Sequence, residues 1–183
     1  NGVSYASQTA PLASLLDQNW TVSQLSLDSY EVGQAATARA AIISNLESGT
    51  SLLSYYGHSA PASWSRESLI TANMVSGGLF NTVNQPFATV QLGCWGTYFV
   101  EPTSTTVAHQ MLLMPRGAAA VLGSTSLTES SSDIALANNL LPRLSSTSLG
   151  DALMQAQQAV ANELPGAKDV ILGGNLLGDP ALR

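Results

Sequence analysis

Two dipeptides carry most of the chemistry that this sequence can offer, Gly57-His58 and Gly93-Cys94. Cys94 is the chain's single cysteine and His58 is one of two histidines. Each dipeptide closes a short apolar run: Ser51-Leu52-Leu53-Ser54-Tyr55-Tyr56 before the histidine and Phe87-Ala88-Thr89-Val90-Gln91-Leu92 before the cysteine. A thiol beside an imidazole is the nucleophile and proton carrier of cysteine-dependent acyl transfer. Open α/β sheets gather ligands and reactive groups at the carboxyl ends of their strands. If the two runs are neighbouring parallel strands, the thiol and the imidazole meet at one edge of the sheet.

Residue type alone leaves two readings open. Free cysteine is among the most buried residue types and usually packs as a small hydrophobe. A lone histidine near a strand end is more often a hydrogen-bonded structural residue than a base. Position pulls the other way, because backbone N–H groups in a loop after a strand can stabilise a thiolate and later an oxyanion. His109 falls inside a predicted helix and reads as structural or exposed. One cysteine and two dispersed histidines give no zinc-ligand spacing. The glycine-rich Leu172–Gly178 stretch lacks the lysine and hydroxyl of a phosphate loop and reads as a turn. Gly123-Ser124-Thr125-Ser126 is not the Gly-x-Ser-x-Gly elbow of serine hydrolases.

The elements that must position these groups follow from periodicity. After Asn1-Gly2, Leu12, Leu15 and Leu16 suit a short helix following Pro11, and Thr21–Leu27 reads as a strand. Val32, Ala36, Ala40, Ile43 and Leu46 recur at helical spacing up to Gly49. Strand Ser51–Tyr56 comes next, so strand, helix and strand follow in order and the crossover is expected to be right-handed. Pro61 makes the segment after His58 a loop. Leu69–Leu79 predicts a helix broken at Gly77-Gly78, and Pro86 opens the second run. An aromatic loop, Trp95 to Phe99, leads to Pro102 and a helix over Thr105–Met114. The wholly apolar Ala118–Leu122 predicts a strand covered on both faces. Ser130–Leu144 and Leu149–Glu163 predict two further helices, the second with Ser148 and Asp151 as a capping box.

Composition bounds the class. A chain of 183 residues with 45% hydrophobic residues supports one globular domain with a full core. A net charge of −6 and a pI near 4.6 argue against nucleic acid or anionic membrane as partners, since both reward clustered Lys and Arg. No apolar run approaches the length that a membrane helix requires. A single cysteine permits no internal disulfide, so it says nothing about redox compartment. A surface of Ser, Thr, Asn and Gln, with only 10% of residues charged, leans towards a secreted protein.

Five blocks occur in a telling order: Tyr55-Tyr56-Gly57-His58-Ser59, Gln91-Leu92-Gly93-Cys94-Trp95-Gly96, Pro115 to Thr125, Leu149-Gly150-Asp151-Ala152-Leu153 and Leu177-Gly178-Asp179-Pro180-Ala181-Leu182. The set resembles gingipain-like cysteine peptidases of family C25, within the caspase-like fold group, from about Leu12 to the end. The resemblance implies an α/β, caspase-like three-layer sandwich in which a mostly parallel sheet is flanked by helices. It implies that residues 1–183 form a single peptidase domain of a longer, secreted or cell-surface precursor. It also implies that the first strand of the fold is missing: either an upstream fragment of the same precursor supplies it, or the sequence is a truncated part of a larger protein. Carried onto this chain, Cys94 attacks the scissile carbonyl of a polypeptide substrate, His58 protonates the leaving amine, and the backbone N–H groups of Ser59 and Cys94 hold the oxyanion. The family usually has glycine where this chain has Ser59, so a positive φ there would be strained. Trp64, Glu129 and Asp133 are candidates for the substrate pocket, where a carboxylate would select Arg or Lys; Glu129 and Asp133 equally suit a solvated helix start. No organic cofactor or catalytic metal is implied, and a structural calcium ion is compatible with the family. The rival reading is an inactive caspase-like domain that serves a larger surface protein as a binding or structural module.

Overall fold

The computed structural model describes residues 5–82, 85–101 and 103–183. Asn1-Gly2 and Pro102 lie outside them. In chain order the elements are α1 (Tyr5–Thr9) running into a 3-10 helix (Ala10–Leu15), a 3-10 turn (Leu27–Ser29), α2 (Ala35–Glu47), β1 (Leu52–Tyr56), and the short strands β2 (Ser59–Ala60), β3 (Ser63–Trp64) and β4 (Ile70–Thr71). These are followed by α3 (Ala72–Ser76), β5 (Phe87–Leu92), α4 (Val107–Leu113), β6 (Ala118–Ser124), α5 (Ser130–Leu140), a 3-10 turn (Leu141–Arg143), α6 (Leu149–Glu163), α7 (Lys168–Ile171) and β7 (Gly174–Gly178).

The main sheet has the order β1-β5-β6-β7. Its first three strands are parallel and β7 runs antiparallel to β6. Successive side chains of a strand point to opposite faces, and β5 and β6 divide their residues accordingly. Val90, Leu92, Ala120 and Leu122 pack on one face with α5, α6 and α7. Phe87 and Val121 pack on the other with α2, α3 and α4. The three layers expected of a doubly covered parallel sheet are therefore present.

Local sequence explains most boundaries. Ser148 Oγ accepts the Asp151 N–H at 3.2 Å and donates to the Asp151 carboxylate at 2.9 Å, which starts α6 as predicted. Thr71 and Thr106 cap α3 and α4 through the same kind of bond. The Asp179-Pro180 turn folds back on α6, where Gly150 N–H donates to Pro180 O at 2.9 Å and Leu149 N–H to Leu182 O at 2.8 Å. A Cβ on Gly150 would lie 2.7 Å from the Pro180 ring, so two of the sequence blocks are one packing contact.

Three expectations are corrected. Thr21–Leu27 is not a strand: the segment ends in the 3-10 turn, and Val22 and Leu25 are each 43% exposed. Its apolar spacing never held the period of two that would commit one side to a core. In α2 the buried stripe is Ala35, Ala38, Ile42 and Leu46, with Val32 outside the helix and Ala36 and Ala40 exposed. Five alanines let the helix face be set by its neighbours. The Gly173–Gly178 stretch is largely strand, because β6 has a free edge on which its backbone can pair, and it sends Leu176 into one core and Leu177 into the other.

Among the described residues, no helix is long and apolar enough to cross a membrane.

Candidate active site

β1 and β5 are neighbours in parallel, with Tyr56 opposite Leu92, so the residues that leave their carboxyl ends start side by side. Gly57 N–H donates to Leu92 O at 3.1 Å and locks the two tips together. His58 leaves one tip and Cys94 the other. Gly93 must be glycine: its φ is +156°, and a Cβ there would stand 2.3 Å from Gly57 O and 2.8 Å from Ser59 Oγ. The lack of a side chain lets the two turns touch.

The histidine turn is tied down from below. His58 O accepts the Tyr55 hydroxyl at 2.6 Å and the Ser65 N–H at 2.8 Å. The Tyr55 ring stacks on Trp64, with centroids 4.5 Å apart and planes 10° from parallel. Trp64 is 1% exposed and donates its indole N–H to Gln91 Oε1 at 3.0 Å. The structure thus places this pocket candidate in the core, as a support for the His58 turn. Pro61 sits in the tight turn between β2 and β3, where no ladder donor is required, so the expected loop contains a small hairpin.

Ser59 shows no conflict with its backbone. It is absent from the described non-glycine residues with positive φ, which are Ser65, Ser68 and Trp95. Ladder bonds of antiparallel strands alternate, and the Ser65 N–H to His58 O bond fixes their phase. Ser59 and Trp64 then form the non-hydrogen-bonded pair, and the Ser59 N–H points away from β3. Its hydroxyl donates to Cys94 O at 2.6 Å, a direct bond between the histidine and cysteine turns.

Cys94 is half-buried and unpaired in any disulfide. Its sulfur accepts the Thr128 N–H at 3.4 Å, with the Thr128 hydroxyl at 4.0 Å. The next residue, Trp95, has φ +54°, a left-handed conformation that a bulky residue adopts only when its surroundings enforce it. Trp95 N–H bonds Ser126 O at 2.8 Å, and Thr97 N–H bonds Ser124 O at 3.0 Å. The end of β6 thereby holds the sharp turn that presents the thiol.

The Thr128 hydroxyl also donates to Asp133 Oδ2 at 2.8 Å. Asp133 is 5% exposed, and burial pushes its carboxyl up to about 7, with Asp169 adding and Thr128 opposing. Glu129 is exposed at the N-cap of α5, its N–H donating to Asp169 Oδ2 at 2.8 Å. The structure brings Asp133 near Cys94 through Thr128 and leaves Glu129 as a helix-start residue. Thr128 itself escaped the sequence reading. It lies far from Cys94 in the chain and belongs to no motif, so only the approach of the loop after β6 reveals it. Among the described residues, no three His, Cys, Asp or Glu side chains are grouped so that they could hold a metal ion.

Comparison with known proteins bears on this arrangement. The profile of peptidase family C25 matches residues 4–183. No curated protein matches the chain. Among solved structures, the crystal structure of the Arg-specific cysteine proteinase gingipain R (RgpB) is similar at a TM-score of 0.70 and 19% identity, covering 79% of this chain and 35% of that one. The complex of Porphyromonas gingivalis RgpB pro- and mature domains gives 0.68 and 20%, covering 79% and 36%. At these identities the likeness concerns the fold, the caspase-like sandwich expected from the sequence. The chain spans about a third of the length of those proteins. With a family profile matched over nearly all of its residues, the chain belongs to peptidase family C25, the gingipain-like cysteine peptidases.

Proposed function

We propose that this chain carries the catalytic dyad of a cysteine endopeptidase, with Cys94 as nucleophile and His58 as proton carrier. The observation that supports the reading best is the parallel register of β1 and β5, which starts both turns from adjacent strand tips. The Cys94 sulfur attacks the carbonyl carbon of a peptide bond, forming a C–S bond while the C–N bond breaks. The thiol proton passes through His58 to the departing amine. Water then hydrolyses the thioester, releasing the acid and restoring the thiol. The N–H groups of Ser59 and Cys94 stabilise the oxyanion, for which the outward-pointing Ser59 N–H is suitably placed. Every group in this scheme is a side chain or backbone amide, so it calls for no cofactor.

A carboxylate that selects Arg or Lys must stay ionised and reach its ligand. Asp133 is nearly sealed and partly protonated near neutrality, so the reading carries no preference for a basic side chain. It places the protein outside the cell or on its surface, in keeping with the low charge and abundant hydroxyl and amide side chains. It also includes a partner strand. In a parallel ladder alternate residues face each neighbour, and Gly57 bonding to Leu92 leaves Leu52, Ser54 and Tyr56 facing the outer edge of β1, where no described strand pairs. An upstream segment of the same polypeptide is the proposed occupant.

The test is turnover of a peptide panel by the wild type and Cys94→Ala, with labelling by a thiol-reactive probe. Turnover and labelling that both vanish in Cys94→Ala support the dyad. Equal turnover in the two proteins removes it, and a thiol that never reacts favours the inactive-domain reading.

A further inference from the structure

Tyr5 belongs to none of the sequence blocks, yet its hydroxyl lies 3.0 Å from His58 Nε2. Its ring meets both Tyr56 and His58 edge to face, with centroids 5.3 Å apart in each pair. The segment that bears it is anchored independently. Gln8 Oε1 accepts the Tyr56 hydroxyl at 2.6 Å and the Ser130 hydroxyl at 3.0 Å, and Leu12 is buried in the core beneath α5. The Tyr5 phenol is held above its ordinary acidity range, first by burial and then by the nearby Cys94 and Asp133 groups. It therefore stays neutral at physiological pH, within electrostatic reach of the thiol as well as in contact with the imidazole.

We propose that Tyr5 is a positioning residue for His58, carried to the dyad by the α1 segment. The proposal rests on His58 as the proton carrier. A neutral phenol both donates and accepts. It donates to Nε2 when that nitrogen is bare and accepts from it when it is protonated, so the ring keeps one orientation while its charge changes. A carboxylate could only accept, and an ammonium only donate. The edge-to-face contacts with Tyr56 and His58 set the phenol's own direction, and Gln8 fixes the height of α1 above the strand tip.

Tyr5→Phe keeps the ring and its aromatic contacts and removes only the hydroxyl. In the intact polypeptide, kcat is expected to fall about ten-fold with KM unchanged, the size of one hydrogen bond lost in the transition state. Heteronuclear NMR of the imidazole nitrogens gives a readout that needs no turnover. The His58 ring signals, assigned by their loss in His58→Asn, should shift in Tyr5→Phe while those of His109 stay. A purely packing role for Tyr5 would leave both measurements at wild-type values. Wild-type kcat in Tyr5→Phe, or unmoved His58 ring signals, overturns the proposal. If the wild type turns over no peptide, the peptidase reading falls and the ring signals alone decide Tyr5.

Discussion

Replacing Asp133 with asparagine should stabilise the protein, and more so as the pH rises. The Asp133 carboxyl is 5% exposed, and burial pushes it from 3.8 to about 7. Between those values the native state keeps a proton that the unfolded chain has released. Stability is therefore full below the unfolded value and declines as pH rises towards the folded one. A gap of roughly three units at about 1.36 kcal/mol each gives a loss of up to about 4 kcal/mol above neutrality. Asparagine carries no charge at any pH, and its amide oxygen can still accept the Thr128 hydroxyl. Urea unfolding of both proteins from about pH 4 to pH 9 isolates the effect, because other titrations cancel in the difference. The advantage of Asp133→Asn should grow by several kcal/mol between pH 4 and pH 8, then level off. A difference that stays flat with pH, or that favours the wild type as pH rises, would refute an acid kept protonated by burial.

Thr128, the α6 cap and the Gly93 turn give three further tests. Thr128→Val removes the hydroxyl that holds the Asp133 carboxyl down, so the fall of stability with pH should steepen by about 1 kcal/mol in the same titration; an unchanged slope counts against the contact. Ser148→Ala deletes the α6 cap and should lower the unfolding free energy by about 1 kcal/mol, read from the urea midpoint. Gly93→Ala drives a Cβ to 2.3 Å from Gly57 O. Its backbone strain and overpacking should lower stability by about 3 kcal/mol and separate the strand tips, whereas a wild-type midpoint would mean that the turns do not touch.

Sequence alone determined the sheet strands that matter and the residues at their ends. Ser51–Tyr56, Phe87–Leu92 and Ala118–Leu122 are apolar runs bounded by Gly or Pro, and β-structure covered on both faces needs little more to declare itself. The cap at Ser148, the break at Gly77-Gly78 and the order of the five blocks are local features, legible without coordinates. The family could be read from that order, and the profile match bears it out. Thr21–Leu27 and the α2 stripe were misread because their apolar residues fit more than one period or face, and neighbouring elements made the choice. The glycine-rich tail became a strand because β6 offered an edge, a fact held by the partner and not by the tail.

The surroundings of the thiol were decided by tertiary structure. Thr128 and Tyr5 reach Cys94 and His58 across long stretches of chain, and nothing in their own neighbourhoods marks them; Asp133, a pocket candidate from the sequence, is joined to the thiol only through Thr128. Trp64, which the family resemblance suggested for a pocket, is enclosed because Tyr55 and Gln91 converge on it. The reach of a side chain along one strand or helix is fixed by a local period, and a sequence displays it. Which distant loop closes over a strand tip depends on how whole layers pack, and it is settled only when they meet.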